Sequence, residues 1–321
     1  MKIASVFVHT SDRHLLPALL SIYSLRARRG TADTYKVRLL RLEGSALDDR
    51  RDGSAYCGRG LRIWNHLDFT SFQLLRRRVP AEMQYQGRAL VIDPDIFAVA
   101  SVQPLLDSDM NGKAIRCRYM KDGFLGDGRP YSSSGVMLLD CERLAHWRWD
   151  EEVDRLFSGN LDYWDLLQLV HEDADTIGEL GEQWNSLDIL NSGTRLLHYT
   201  RVSTQPWLTG LPLPDGVYDP TVKTSVMAKV ANLLGRPIKP VCRPHPDSSQ
   251  EQFFFGLLAE AIHVGAIPTW FVESQIGLGR VRKDILDKLA PLSAAQGKPA
   301  AGSRPSLLEE YEIDAYWRRS A

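Results

Sequence analysis

Arg88-Ala89-Leu90-Val91-Ile92-Asp93-Pro94-Asp95-Ile96-Phe97 is the stretch on which the reading of this chain turns. The apolar run 89–92 suits a short strand buried on both faces, and Asp-Pro-Asp ends it. Pro94 fixes its own φ, which stiffens the turn and sets where the two carboxylates point. Ligands of α/β sheets bind outside the carboxyl ends of strands, and the pair falls at such an end. Two carboxylates one residue apart repel each other. Either water solvates them, since Asp and Pro are common turn residues, or a divalent cation with oxygen ligands bridges them and reaches phosphate oxygens as well.

Outward from this strand, strand-like and helix-like segments alternate, which predicts an α/β protein with a mixed central sheet flanked by helices. Residues 3–8, 37–42, 114–118 and 136–139 read as further strands. Residues 15–28 read as a helix, with Leu16, Leu19, Leu20, Tyr23 and Leu25 at helical spacing. Residues 69–78 read as a helix stopped by Pro80, 142–156 as an interrupted helix, and 163–172 as another. Beyond Trp207 the character changes: 208–220 is a Pro- and Gly-rich loop, and 222–234 and 252–264 are amphipathic helices separated by prolines. Residues 291–305 have linker composition, and 307–319 read as a last short helix. Three regions follow: a sheet domain over 1–210, a C-terminal helical extension over 211–290, and a flexible linker with a terminal short helix over 291–321.

Composition narrows the partners. Among 321 residues, 39 Lys and Arg nearly balance 40 Asp and Glu, so no global field favours nucleic acid or an anionic membrane, and an anionic ligand needs a local site. Cys57, Cys117, Cys141 and Cys242 lack zinc-like spacing and read as reduced thiols. The first ten residues read as a strand, not a leader, and no apolar run reaches bilayer-spanning length, so the expected location is cytoplasmic.

Five segments, in order, resemble glycosyltransferase family 8, the glycogenin and galactosyltransferase-like group with the GT-A fold. They are the opening strand and helix through Ser21-Ile22-Tyr23-Ser24-Leu25; Arg76-Arg77-Arg78-Val79-Pro80; the Asp93-Pro94-Asp95 strand; Ser133-Ser134-Gly135-Val136-Met137-Leu138-Leu139-Asp140; and Leu196-Leu197-His198-Tyr199-Thr200 followed by Gln205-Pro206-Trp207. Together they cover roughly residues 1–210.

The resemblance implies a metal-dependent transferase that moves a sugar from a nucleotide diphosphate, a UDP-sugar, to an acceptor with retention. Asp93, Asp95 and His198 would share one ion. A shell of carboxylate, imidazole and diphosphate oxygens favours Mn²⁺ over Mg²⁺. His9, Thr10 and Asp12 lie where the family reads the nucleobase, although Asp12 equally suits a helix cap. Arg76 matches the donor-contacting arginine, whose fork can grip phosphate or sugar oxygens; a solvated helix end is the other reading for these arginines. Ser133, Ser134 and Gly135, at a strand entrance, would face the sugar. Asp165 matches the acidic residue near the anomeric carbon, with a plain exposed helix acid as its other reading. Tyr163, Trp164, Trp184, Asn185 and Trp207 could line an acceptor cleft or simply pack.

The departures are specific. Serine replaces the family's Asn, Leu166 its Gln, and Gln205 the Lys that neutralises the leaving diphosphate; Arg201 is the local candidate for a substitute cation. They leave two other classes open. A nucleotidyltransferase would need a Gly- and basic-rich loop after the first strand, and residues 9–15 contain no Gly. A non-catalytic nucleotide-sugar-binding protein would keep the scaffold without the chemistry. The run Glu172-Asp173-Ala174-Asp175 reads as a solvated helix end.

Overall fold

The computed structural model describes residues 3–121, 130–215, 217, 239–293 and 305–313. It divides into two compact units, Met1–His198 and Tyr199–Ala321. The described strands all lie in the first: β1 (Ser5–Thr10), β2 (Lys36–Arg41), β3 (Ala55–Cys57), β4 (Leu61–Ile63), β5 (Arg88–Ile92), β6 (Ile96–Ala98), β7 (Ile115–Met120), β8 (Tyr131–Asp140), β9 (Ile177–Glu179), β10 (Ser186–Leu187) and β11 (Leu196–His198).

Six strands form one sheet in the order β2-β1-β5-β8-β7-β9. β1 runs parallel to β2 and β5, whereas β8 runs antiparallel to β5 and β7. The sheet is therefore mixed, and the unit is α/β. β5 is central, and Ala89, Leu90, Val91 and Ile92 are all fully buried, as an unbroken apolar run requires. The helix Leu15–Ala27 is buried from Leu15 to Leu25, so it is an interior helix without a solvent face. Its two serines are satisfied against the neighbouring strand: Ser21 Oγ donates to the Ile96 carbonyl at 2.6 Å, and Ser24 Oγ accepts from the Ala98 amide at 2.8 Å. These bonds hold β6 directly after the Asp-Pro-Asp turn. β6 in turn pairs antiparallel with β11 in a small second sheet, with His198 opposite Ile96.

Four expectations need correction. Pro80 does not stop a helix: Ser71–Arg78 is a 3-10 segment, and Pro80 opens the helix Val79–Glu82, where a missing amide costs nothing. The helix from Tyr163 ends at Leu167, and Leu169 takes a left-handed φ of 57°. β8 begins at Tyr131, so Ser133, Ser134 and Gly135 lie inside a strand and not at its entrance. Glu172 is not solvated: its side chain is 3% exposed and accepts from Arg77 (3.0 Å), Trp147 Nε1 (2.7 Å) and His146 (2.8 Å).

The second unit contains the helices Ser248–His263, Thr269–Gly277 and Ile285–Ser293, and the short Leu307–Glu310 with a Ser306/Glu309 capping box. Tyr199, Trp207 and Phe254 are buried together there. The expected helix 222–234 and most of the 291–305 linker lie outside the described residues. No helix among the described residues is long and apolar enough to cross a membrane. No disulfide joins the four cysteines.

Candidate metal centre

Strand pairing brings Asp93, Asp95 and His198 together from segments about a hundred residues apart in sequence. The Asp93 amide donates to the Gly135 carbonyl at 3.0 Å, which extends the β5–β8 pairing by one residue into the turn. One ligand atom from each of the three side chains lies within 4.8 Å of the others.

The two carboxylates are held differently. Asp93 Oδ1 accepts from Arg76 Nη2 at 2.6 Å and from His9 Nε2 at 2.9 Å. That leaves Oδ2, which lies beneath Gly135 and beside the His198 ring. A Cβ at Gly135 would come 2.9 Å from Asp93 Oδ2 and 3.0 Å from His198 Cε1. Burial raises the Asp93 pKa, but Arg76 and the His9 hydrogen bond outweigh it and hold the carboxyl at about 2. Burial lowers the pKa of both His9 and His198, favouring neutral rings. His198 Nδ1 lies 2.8 Å from Asn185 Oδ1, and its Nε2 faces Asp95 Oδ1, 3.5 Å away. An imidazole lone pair opposed to a carboxylate oxygen is a repulsive arrangement without a cation. With Asp93 Oδ2, these atoms form a mixed oxygen and nitrogen donor set that fits Mn²⁺ or Mg²⁺.

Gly135→Ala is therefore expected to displace Asp93 or His198. Mn²⁺ affinity, followed by electron paramagnetic resonance of the free ion, should fall by at least about tenfold, the size of effect seen when metal ligands lose their orientation. An unchanged affinity would mean that the two ligands can move aside.

The other anticipated residues are placed as follows. All three nitrogens of Arg76 are engaged, Nε with the Gln73 carbonyl, Nη1 with Ser134 Oγ and Nη2 with Asp93. Ser134 Oγ also donates to the Leu167 carbonyl at 2.6 Å, which ties β8 to the helix Tyr163–Leu167 that carries Asp165. Asp165 is half-buried, and no hydrogen bond or ion pair joins it to Arg76 or to the three candidate ligands. Ser133 is half-buried. His9, Thr10 and Asp12 are all buried: His9 on Asp93, Thr10 Oγ1 on the Ser11 carbonyl, and Asp12 on Arg41 at 2.6 Å. Asp12 makes no helix cap, because Ser11 occupies the N-cap position of the turn and His14 that of the helix.

Sequence reasoning missed His9 as a partner of Asp93 and Asn185 as a partner of His198. Neither is visible in local spacing. Tyr163 is buried with its hydroxyl on the Thr70 carbonyl, and Trp207 packs on Tyr199 and Phe254, so both are core residues and not part of a cleft. Gln205, at the position of the family's lysine, is buried and donates to the Tyr199 carbonyl, whereas Arg201 is exposed.

No family model matches the chain, and no curated protein matches it. Solved structures do. The glycosyltransferase GlyE of Streptococcus pneumoniae TIGR4 aligns with 16% identity and a TM-score of 0.45, over 64% of this chain and 56% of that one. The galactosyltransferase LgtC in complex with donor and acceptor sugar analogs aligns with 14% identity and a TM-score of 0.44, over 63% and 89%. Mouse xyloside xylosyltransferase 1 aligns with 14% identity and a TM-score of 0.40, over 62% and 98%. The chain thus matches little more than half the length of GlyE.

Proposed function

We propose that this chain is a metal-dependent glycosyltransferase that moves a sugar from a nucleotide diphosphate, with uridine as the base, to an acceptor while retaining the anomeric configuration. The observation that carries this reading is the convergence of Asp93, Asp95 and His198 at the carboxyl end of β5. The ordered sequence segments that surround the three residues support it.

Asp93 Oδ2, Asp95 and His198 Nε2 are the atoms that would hold the ion. A divalent ion bound there supplies Lewis-acid stabilisation for the charge that develops on the leaving diphosphate. Arg76 and His9 keep Asp93 ionised and fix its rotamer. Asp165 is assigned to hold the sugar and ease positive charge at the anomeric carbon, not to remove a proton. In retention, the proton of the acceptor hydroxyl passes to the departing diphosphate on the same face, so no strong side-chain base is required. An inverting enzyme would need an Asp or Glu opposite the leaving group.

Product analysis by NMR with an α-linked UDP-sugar tests the chemistry. An α-linked product is expected, and Asp165→Asn should slow its formation by about 10- to 100-fold, or about 1.4–2.7 kcal/mol of barrier. A β-linked product together with an inactive Asp165→Asn variant would overturn the stereochemistry and the role of Asp165. Binding of the donor without hydrolysis or transfer would favour a protein that keeps the scaffold and lacks the chemistry. The base is tested separately: UDP should bind more tightly than GDP in Mn²⁺, and equal affinities would refute the uridine assignment.

A further inference from the structure

We propose that Asn185 is a positioning residue for the metal centre, selecting the His198 tautomer whose Nε2 lone pair faces Asp95. The proposal rests on the metal reading of Asp93, Asp95 and His198. Asn185 is fully buried, and its Oδ1 is 2.8 Å from His198 Nδ1. An amide oxygen can only accept, so the bond requires the proton on Nδ1 and leaves Nε2 bare.

The local fold fixes the backbone of Asn185 from several sides. The Asn185 amide donates to the Glu182 carbonyl at 3.0 Å, closing the 3-10 turn Glu182–Trp184. The Asn185 carbonyl accepts from Arg118 Nη1 at 2.7 Å, and Nη2 of the same guanidinium reaches Glu182 Oε1 at 3.1 Å. The next residue, Ser186, is already in β10 and pairs with Leu197 of β11, one residue before His198. Backbone pairing therefore sets the distance between residue 185 and residue 198, and the side chains meet as a consequence.

The residue type fits this task. A carboxylate in the same place would also accept from Nδ1, but it would add a third negative group beside Asp93 and Asp95 and draw a second proton onto the ring, in competition with the ion. An amide orients the imidazole and leaves it neutral. Outer partners of this kind orient metal-bound imidazoles generally, and their loss costs about 10- to 100-fold in metal affinity.

Two readouts test the proposal. The first is long-range ¹H–¹⁵N NMR of the metal-free, histidine-labelled full chain, with His198 assigned by its absence in His198→Gln. The proton is expected on Nδ1, and a proton on Nε2 would overturn the proposal without any variant having to fold. The second is Mn²⁺ titration of the wild type, Asn185→Leu and Asn185→Asp. Asn185→Leu should bind Mn²⁺ about 10- to 100-fold more weakly than the wild type. Asn185→Asp should keep the proton on Nδ1. Wild-type affinity in Asn185→Leu, alongside lost binding in Asp95→Ala, would sink the positioning role and leave the metal site standing. Mn²⁺ binding that does not depend on Asp95 would overturn the metal reading, and this proposal with it.

Discussion

Asp95→Ala is expected to abolish Mn²⁺-dependent binding of UDP while the metal-free protein stays as stable as the wild type, whereas Asp93→Ala should lose both binding and stability. The difference follows from what each carboxylate touches. Asp95 is the more open of the pair and lies 3.5 Å from an imidazole nitrogen. Removing it takes away a charge that faces that nitrogen and leaves the Asp93–Arg76 pair intact. Asp93 is the counter-charge of Arg76, whose side chain is 4% exposed. Without Asp93 that guanidinium stays buried and uncompensated, a loss of about 3–5 kcal/mol for a broken buried pair. Thermal unfolding with and without Mn²⁺ and UDP separates the two outcomes. The ligand-induced rise in Tm, worth about 2.7 kcal/mol at a ligand concentration 100 times Kd, should vanish in both variants. Only Asp93→Ala should also melt early in EDTA. Equal melting of the two metal-free variants would contradict the division of labour between the carboxylates.

Arg77→Ala should give the largest loss of stability. Arg77 lies over the Trp147 ring, 3.8 Å from its centroid, and its fork joins Glu152 to Glu172. Deleting it takes the guanidinium from two buried carboxylates, of which Glu172 keeps His146 and Trp147, and costs about 3–5 kcal/mol, a drop in Tm of roughly 10 °C at about 2–4 °C per kcal/mol for a domain of this size. Arg78→Ala is the control, since Arg78 is half-exposed and bridges Glu82 one helical turn on, an interaction worth about 0.5 kcal/mol. The network is also pH-dependent. Burial raises the pKa of Glu172, but Arg77, His146 and Trp147 outweigh it and leave the group below the ordinary glutamate value. A depressed folded pKa contributes stability above the unfolded value of about 4.3 that is lost as pH falls through the folded pKa. The Tm gap between wild type and Glu172→Gln should therefore be wide at neutral pH and close below about pH 4. A gap that widens in acid would show that Glu172 is buried protonated.

The α/β pattern was legible wherever a strand is buried on both faces. Residues 89–92 and the opening strand announce themselves as apolar runs, and the interior helix Leu15–Ala27 does so by its composition. The three candidate ligands were grouped by the family resemblance, because Asp-Pro-Asp alone equally suits a solvated turn and a strand-terminal histidine alone a plain hydrogen bond; the structure brings them together. Long-range partners were not legible. Nothing near His9 marks it as a hydrogen-bond donor to Asp93, because that bond exists only once β1 and β5 lie side by side. Nothing near Asn185 marks it for His198, because β10 and β11 are two- and three-residue strands too short to show a period. The arginine run was legible only in part. A donor-gripping Arg76 and a solvated terminus were the two readings; the fold buries Arg76 and Arg77 against carboxylates that follow β5 and β8, and leaves Arg78 half-exposed. Glu172 was likewise read from its acidic neighbours, whereas its partners come from residue 77 and residues 146–147.

The central claim is that one divalent ion is shared by Asp93, Asp95, His198 and a nucleotide diphosphate. Pulsed electron paramagnetic resonance of Mn²⁺ bound to the protein with UDP tests it most directly. Both ¹⁴N coupling from an imidazole and ³¹P coupling from the diphosphate are expected on the same ion, with the ¹⁴N signal lost in His198→Gln and the ³¹P signal lost on removing UDP. A ³¹P coupling without ¹⁴N in the wild type would contradict the claim, because the ion would then be arriving with the nucleotide and not resting on His198.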